Sequence, residues 1–191
     1  MNCNPDKELK DFYVLNANNN KIQNALIILH GYGSSKEDLK DIVPSFGKLQ
    51  DTTAFFIPNA PFHCDAGFGY QWFPLGFSDS GIKMDFNDCK KALHILTTFI
   101  EKVSKEYNIP FNKIGIFGFS QGAIIALFLA LFSQHKFASI VAHSGLFFNY
   151  NNDTEELNFP INKEQNILLI HGKEDDVVPF ILAEKTMSFF K

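Results

Sequence analysis

The sequence contains no arginine: all seventeen basic residues are lysine, set against twenty-one acidic residues and a net charge of −4. Proteins that bind phosphate groups or read guanine edges usually rely on the planar, forked donors of arginine. The absence of arginine and the acidic balance together predict that nucleic acid is not a partner of this chain.

Several other features are also scarce. There is no run of about twenty apolar residues, so we expect no transmembrane helix, and residues 1–6 lack the charged and apolar regions of a secretory signal. The three cysteines, Cys3, Cys64 and Cys89, show no paired spacing, which favours reduced thiols in a cytoplasmic protein. The six histidines show no HExxH or other regular ligand spacing, so neither a metal nor another cofactor is expected.

The 191 residues are 46% hydrophobic and contain no repeat or low-complexity block, which predicts a single domain over residues 1–191. Apolar runs without alternation predict buried parallel strands at residues 25–29, 53–57, 114–117, 137–142 and 167–170. The sequence between them predicts helices at residues 36–43, 85–107, 121–132 and 179–191. Alternating strands and helices predict an α/β fold, with a mostly parallel sheet and helices on both faces.

Ser120 lies in the motif Gly118-Phe119-Ser120-Gln121-Gly122, directly between a predicted strand and an almost entirely apolar helix. In this setting G-x-S-x-G is typical of a nucleophile elbow. Glycine on either side removes Cβ atoms that would crowd the turn, so the serine is expected to adopt a strained conformation at the carboxyl edge of the sheet. The N-terminus of the following helix can stabilise an oxyanion there. The alternative is a chance pentapeptide in an ordinary loop.

Two further segments follow predicted strands at the same edge of the sheet. Leu29-His30-Gly31-Tyr32-Gly33 could supply a second oxyanion donor from its backbone, or it could be an ordinary glycine turn. Residues 171–179 are acidic, and an acid at this point fits the chain order of serine followed by aspartate in α/β hydrolases. The alternative is a solvated loop in which Asp176 caps the helix near Pro179.

These segments together resemble the small carboxylesterase, phospholipase and acyl-protein thioesterase family of α/β hydrolases. The matching pieces stand in family order along nearly the whole chain: Leu29-His-Gly-Tyr-Gly33, Pro58-Asn-Ala-Pro61, Gln71-Trp-Phe73, Gly118-Phe-Ser-Gln-Gly-Ala123, Ser144-Gly145 and His171-Gly-Lys-Glu-Asp-Asp-Val-Val-Pro179. The resemblance implies that Ser120 is the nucleophile and Asp175 the triad acid. It also implies an oxyanion hole formed by the backbone N–H groups of Tyr32 and Gln121. Asp176 stands where the family usually has proline, which makes it the second choice as acid.

One part of the family pattern has no counterpart. The catalytic histidine of the family follows the acid, past another helix and strand, whereas the 191 residues contain no histidine after His171. The resemblance therefore implies that the last strand, the triad histidine and the closing helix are missing and that hydrolysis is impaired. Residues 167–170 would then form an exposed apolar edge strand of the sheet. Such an edge could pair with another chain, so an oligomer is possible. Among the other histidines, His63 and His143 are the candidates for a substitute base.

Residues 58–84 form the longest predicted connection and carry six aromatic side chains. They could wall an acyl pocket, to which we assign Trp72 and Phe73, or they could simply pack on the sheet. The expected substrate is a carboxylic ester or thioester of a small molecule or acyl chain. The alternative function is a non-catalytic, ligand-binding protein of the same fold. A dienelactone-hydrolase-like function is disfavoured, because that chemistry uses cysteine where Ser120 stands.

Overall fold

The computed structural model describes residues 8–18, 20–78, 81–147, 162 and 164–190. In chain order the strands are β1 (Phe12–Leu15), β2 (Asn24–Leu29), β3 (Thr53–Pro58), β4 (Phe62–His63), β5 (Tyr70–Gln71), β6 (Leu75–Ser78), β7 (Gly81–Met84), β8 (Ile114–Phe119), β9 (Ser139–His143) and β10 (Ile167–Ile170). The helices are α1 (Lys36–Lys40), α2 (Phe86–Tyr107), α3 (Gln121–Phe132) and α4 (Phe180–Phe190). Cys3 lies outside the described residues.

The central sheet has six strands in the order β1-β3-β2-β8-β9-β10. All neighbouring strands are parallel except β1, which pairs antiparallel with β3. Two separate hairpins, β4–β5 and β6–β7, lie in the long connection between β3 and α2. The predicted mostly parallel α/β sheet is confirmed, and each of the five predicted strands is present within two residues of its expected bounds.

The helix ends follow local capping chemistry. Ser35 caps α1 in a capping box with Asp38, and the side chain of Asp85 caps α2 by accepting a hydrogen bond from the backbone of Asn87. The helix predicted at residues 36–43 ends at Lys40, because a 3₁₀ helix with proline in its first turn follows at Val43–Asp51. The predicted apolar helix at 121–132 has the bounds of α3.

Helices cover both faces of the sheet, as predicted. On one face, α2 and α3 pack on the inward side chains of β2, β3, β8 and β9. Eleven of the twelve residues of α3 are buried, which explains why this helix is apolar nearly all round. On the other face, Ile28 and Phe55 pack with Leu39 of α1 and Val43 of the 3₁₀ helix.

Strand β10 stands at one end of the sheet and pairs with β9. Ile167 and Leu169 pack against the core, whereas Leu168 is 55% exposed and Ile170 is 39% exposed. The expectation from its apolar run, burial on both faces, is therefore wrong for this strand. An apolar run predicts burial of the strand but does not show whether neighbours exist on both sides. In the described residues β10 has the exposed apolar edge that the resemblance implied.

Within the described ranges, no helix combines the length and the apolar character that crossing a bilayer requires. The same residues bring no three His, Cys, Asp or Glu side chains together in a group that could hold a metal ion. Cys64 and Cys89 are both buried as free thiols.

Candidate active site

Ser120 forms the turn between β8 and α3, with a backbone φ of 52° and ψ of −116°. Residues other than glycine rarely adopt a positive φ, so the predicted strained conformation is present. Its N–H donates to the carbonyl of His143 at 2.9 Å, and its own carbonyl accepts from the N–H of Ala123 at 2.9 Å. The serine is thus fixed at the carboxyl edge of β8 and β9, at the N-terminus of α3.

The glycines around Ser120 allow three backbone segments to meet closely. A Cβ added at Gly118 would lie 2.2 Å from the carbonyl oxygen of Gly122, and one added at Gly122 would lie 2.2 Å from that of Leu29. A Cβ at Gly31 would lie 3.2 Å from the Cβ of Ser120. The turn after β2 therefore packs directly against the elbow, which brings together the two segments predicted to supply the oxyanion donors.

The two predicted donors belong to these adjoining segments. Gln121 is the first residue of α3, where a backbone N–H has no acceptor within the helix and lies at the positive end of the helix dipole. Tyr32 lies in the turn that the N–H of Ser34 closes on the carbonyl of Gly31 at 3.3 Å. Burial, reinforced by the neighbouring thiol of Cys64, raises the pKa of Tyr32 to about 12. Its phenol is therefore neutral at working pH and does not oppose an anion nearby.

Asp175 is oriented by backbone hydrogen bonds. Its Oδ1 accepts from the N–H of Val177 at 3.0 Å and of Val178 at 2.8 Å, and its Oδ2 lies 3.6 Å from Nε2 of His171. The hydrogen bond from Val178 is the largest influence on the pKa of Asp175, and with those from Val177 and the Ser144 hydroxyl it outweighs partial burial and lowers that pKa. The carboxylate is therefore ionised and held in one orientation at neutral pH.

Ser144 links this acid to the nucleophile. It follows His143, whose carbonyl accepts the N–H of Ser120, and its hydroxyl contributes to the lowered pKa of Asp175. Asp176, in contrast, is exposed. Asp175 is therefore the carboxylate of the two that the surrounding residues hold in place, and its role as the triad acid stays a prediction. The motifs gave no reason to pair Ser144 with the acid; the available signal was a polar residue directly after a strand that ends at this edge.

Trp72 and Phe73, assigned to an acyl pocket, are both fully buried. The indole N–H of Trp72 donates to the carbonyl of His30 at 2.9 Å. Neither side chain presents surface to a substrate in this conformation. Their burial fits the alternative that these aromatic side chains pack on the sheet. Contact with an acyl chain would require this segment to move.

The two candidate substitute bases differ in their surroundings. His63 is exposed, and its ring stacks on Tyr70 with 5.2 Å between ring centroids. The ring of His143 lies 5.5 Å from that of Phe119, and its buried Nδ1 has no hydrogen-bond partner among the described residues. In the described part of the chain, no histidine ring is hydrogen-bonded to the hydroxyl of Ser120. His143 is the nearer candidate, since its backbone contacts the nucleophile directly.

The sequence profile of the Phospholipase/Carboxylesterase family matches residues 10–191. The chain belongs to this family. Acyl-protein thioesterase 1 of Candida albicans is 30% identical over 185 residues, which cover 92% of this chain and 80% of that relative. Acyl-protein thioesterase 1 homolog 1 of Dictyostelium discoideum is 31% identical over 160 residues, 80% of this chain and 69% of that relative.

Two solved structures share the fold of this chain. Esterase PE8 superposes with a TM-score of 0.81 at 30% identity, covering 94% of this chain and 82% of that one. SOBER1 of Arabidopsis thaliana superposes with a TM-score of 0.75 at 22% identity, covering 87% and 82% respectively, which shows likeness of fold alone. The chain therefore has the α/β-hydrolase fold of its family.

Proposed function

We propose that this member of the Phospholipase/Carboxylesterase family is a serine hydrolase that cleaves carboxylic esters or thioesters through an acyl-Ser120 intermediate. The strained elbow carries the proposal: Ser120 has a positive φ at the N-terminus of α3, with the turn after β2 in contact beside it. The relatives named acyl-protein thioesterases support a thioester or ester of an acyl chain as substrate.

In the proposed reaction the Ser120 Oγ attacks the acyl carbonyl carbon, and the Oγ–C bond forms as the hydroxyl proton passes to a base. The carbonyl oxygen becomes an oxyanion that faces the N–H groups of Tyr32 and Gln121. The alcohol or thiol leaves with a proton, and water then hydrolyses the acyl-serine, which releases the acid and restores the hydroxyl.

This mechanism needs a base, and no residue has yet been assigned to that role. In such a triad a histidine takes the serine proton, and the acid, here Asp175, fixes the tautomer of that histidine. The 191 residues contain no histidine after His171. We therefore propose that the 191-residue chain is a strongly impaired hydrolase. Loss of the base costs on the order of 10⁶ in kcat in a related triad, while the oxyanion hole and binding retain about 10³ over water.

The test is hydrolysis of p-nitrophenyl butyrate by the purified chain, compared with its Ser120→Ala variant. We expect a slow rate that depends on Ser120 and that rises when imidazole is added, because free imidazole can accept the serine proton. The Ser120→Ala variant should show only the rate of a protein-free solution with the same imidazole concentration, because imidazole itself hydrolyses p-nitrophenyl esters. A rate close to that of an intact esterase without imidazole would contradict the impairment, and His143 and His63 would then be the bases to replace.

The second candidate is a non-catalytic, ligand-binding protein of the same fold. The observation that favours it is the missing hydrogen bond between the Ser120 hydroxyl and any described histidine. Equal rates for the parent chain and Ser120→Ala, even with imidazole, would establish this alternative.

We also propose that the protein works in the cytoplasm. The free thiols of Cys64 and Cys89 support this location, since buried cysteines in an oxidising compartment are usually paired.

A further inference from the structure

We propose that the side-chain amide of Gln121 is a positioning group that holds the two oxyanion donors in register. It does so through a buried hydrogen-bonded clamp formed by Gln121, Trp72, Phe73 and His30, called here the Gln121 clamp. This inference rests on the proposed function, because it assigns a part in that reaction to the side chain of Gln121, of which the sequence analysis used only the backbone N–H.

The oxygen and the nitrogen of the Gln121 amide each make a hydrogen bond within the clamp. Its Oε1 accepts the backbone N–H of Trp72 at 2.9 Å, and its Nε2 donates to the carbonyl of Phe73 at 2.6 Å. Gln121 is only 1% exposed, and Trp72 and Phe73 are fully buried. One side chain at the start of α3 therefore fixes a backbone segment almost fifty residues earlier in the sequence.

Trp72 passes this connection to the turn after β2. Its indole N–H donates to the carbonyl of His30 at 2.9 Å. The His30 ring accepts the N–H of Ala60 at Nε2, at 2.9 Å, so its proton lies on Nδ1 and is donated to the carbonyl of Gly31 at 2.7 Å. Burial lowers the pKa of His30, which keeps the ring neutral in this tautomer. The turn that carries Tyr32 is thereby tied to the elbow.

This arrangement gives Gln121 two functions in one residue. Its backbone N–H is one proposed oxyanion donor, and its side chain sets, through Trp72 and His30, the position of the turn that supplies the other donor. Because the side-chain polar atoms of Gln121, Trp72 and His30 are buried and hydrogen-bonded, loss of one bond leaves an unsatisfied group and allows the two segments to shift. A displacement near 1 Å can reduce a rate about a hundredfold.

Two substitutions separate positioning from simple packing. Gln121→Met has similar length but neither accepts nor donates these hydrogen bonds. Gln121→Glu retains the shape and can replace the amide only when protonated, because a neutral carboxyl accepts from the N–H of Trp72 and donates to the carbonyl of Phe73. Once ionised, it has no proton to donate. Burial should raise the pKa of this carboxyl, so the clamp should re-form as the pH falls.

Gln71 provides a matched control. It is also 1% exposed, and its amide makes two hydrogen bonds, accepting from the backbone N–H of Asp65 at 3.3 Å and donating to the Asp65 carboxylate at 3.0 Å. Those bonds lie within the β4–β5 hairpin and involve no atom of the Gln121 clamp. Gln71→Met therefore removes an equally buried amide without disturbing the Gln121 clamp.

We expect Gln121→Met to lower the Ser120-dependent kcat, measured with imidazole, by about tenfold to a hundredfold while KM changes by less than about threefold. For Gln121→Glu, the ratio of its kcat to that of the parent should rise as the pH is lowered. Gln71→Met should keep kcat within about twofold of the parent. A kcat for Gln121→Met equal to the parent, or an equal loss in Gln71→Met, overturns the inference.

Fluorescence of Trp72, the only tryptophan in the chain, tests the Gln121 clamp independently of hydrolysis. Its emission should shift to the red in Gln121→Met and return to the parental position in Gln121→Glu at low pH. If the parent shows no Ser120-dependent hydrolysis even with imidazole, the proposed function fails, and emission that is unchanged in both variants overturns the clamp separately. Gln121→Glu at low pH also keeps the test valid if Gln121→Met does not fold.

Discussion

Replacement of Gly122 by alanine tests the contact between the elbow and the turn after β2. The added Cβ would lie 2.2 Å from the carbonyl oxygen of Leu29 and 2.7 Å from that of His30. Cβ atoms essentially never approach such atoms within 3.0 Å, so the two backbone segments must separate by about 0.8 Å. Neither neighbour is the mobile end of a side chain, and both belong to the segment that carries the proposed oxyanion turn.

The magnitude follows from two opposing effects. Alanine favours a helix over glycine by about 1 kcal/mol, so without crowding this change would stabilise the protein. Overpacking typically costs about 1–3 kcal/mol and sometimes more. Because the colliding atoms are backbone, we expect the upper end of that range and a net loss of about 2 kcal/mol. The Ser120-dependent rate should fall by about a hundredfold, as for other displacements near 1 Å.

Urea denaturation gives the free energy of unfolding of Gly122→Ala, and p-nitrophenyl butyrate hydrolysis with imidazole gives its rate. Gly76→Ala is the matched control, because its Cβ would meet nothing closer than the Cβ of Lys83 at 3.6 Å. That variant should be as stable as the parent or slightly more so. Parental stability and rate in Gly122→Ala would refute the close packing of the elbow against β2.

The remaining predictions concern charge and burial. The pKa of His30 is lowered in the folded state from its ordinary 6.5, so the unfolded chain binds more protons below that pH. The contribution of His30 to the free energy of unfolding should therefore fall on acidification, by at most about 1.4 kcal/mol per pH unit, so the total should fall less in His30→Asn. Asp175→Asn should reduce the imidazole-stimulated rate by about tenfold or more, whereas Asp176→Asn should leave it within about twofold. In urea denaturation, Leu168→Ala should cost less than about 1 kcal/mol, because its side chain is 55% exposed, and Ile140→Ala about 3 kcal/mol, because Ile140 is fully buried.

The elements that surround the nucleophile were predictable because their signals are local. The apolar run of α3 fixes its bounds, and the glycines at 118 and 122 predict the strained turn between strand and helix. The orientation of the Asp175 carboxylate also depends on near neighbours, the backbone of Val177 and Val178, but its role as acid was implied only by the family resemblance and stays a prediction.

The missed elements depend on contacts that sequence patterns do not carry. Strand β1 is a four-residue edge strand that exists through antiparallel pairing with β3, and the two short hairpins lack long apolar runs. The partners of Gln121 are nearly fifty residues away, so their contact could not be predicted from spacing. A glutamine at the start of an otherwise apolar helix was the one available hint that a buried polar partner exists.

Because of the strand order, the strand before Ser120 and the strand before Asp175 differ in their stability against local opening. Ser120 follows β8, which is paired on both sides, with β2 and with β9, whereas Asp175 follows β10, which is paired only with β9 among the described residues. Edge strands generally open at lower free energy than central ones, so amide hydrogens of β10 should exchange with solvent well before those of β8. The acid can then leave the site in transient openings during which the serine stays in place.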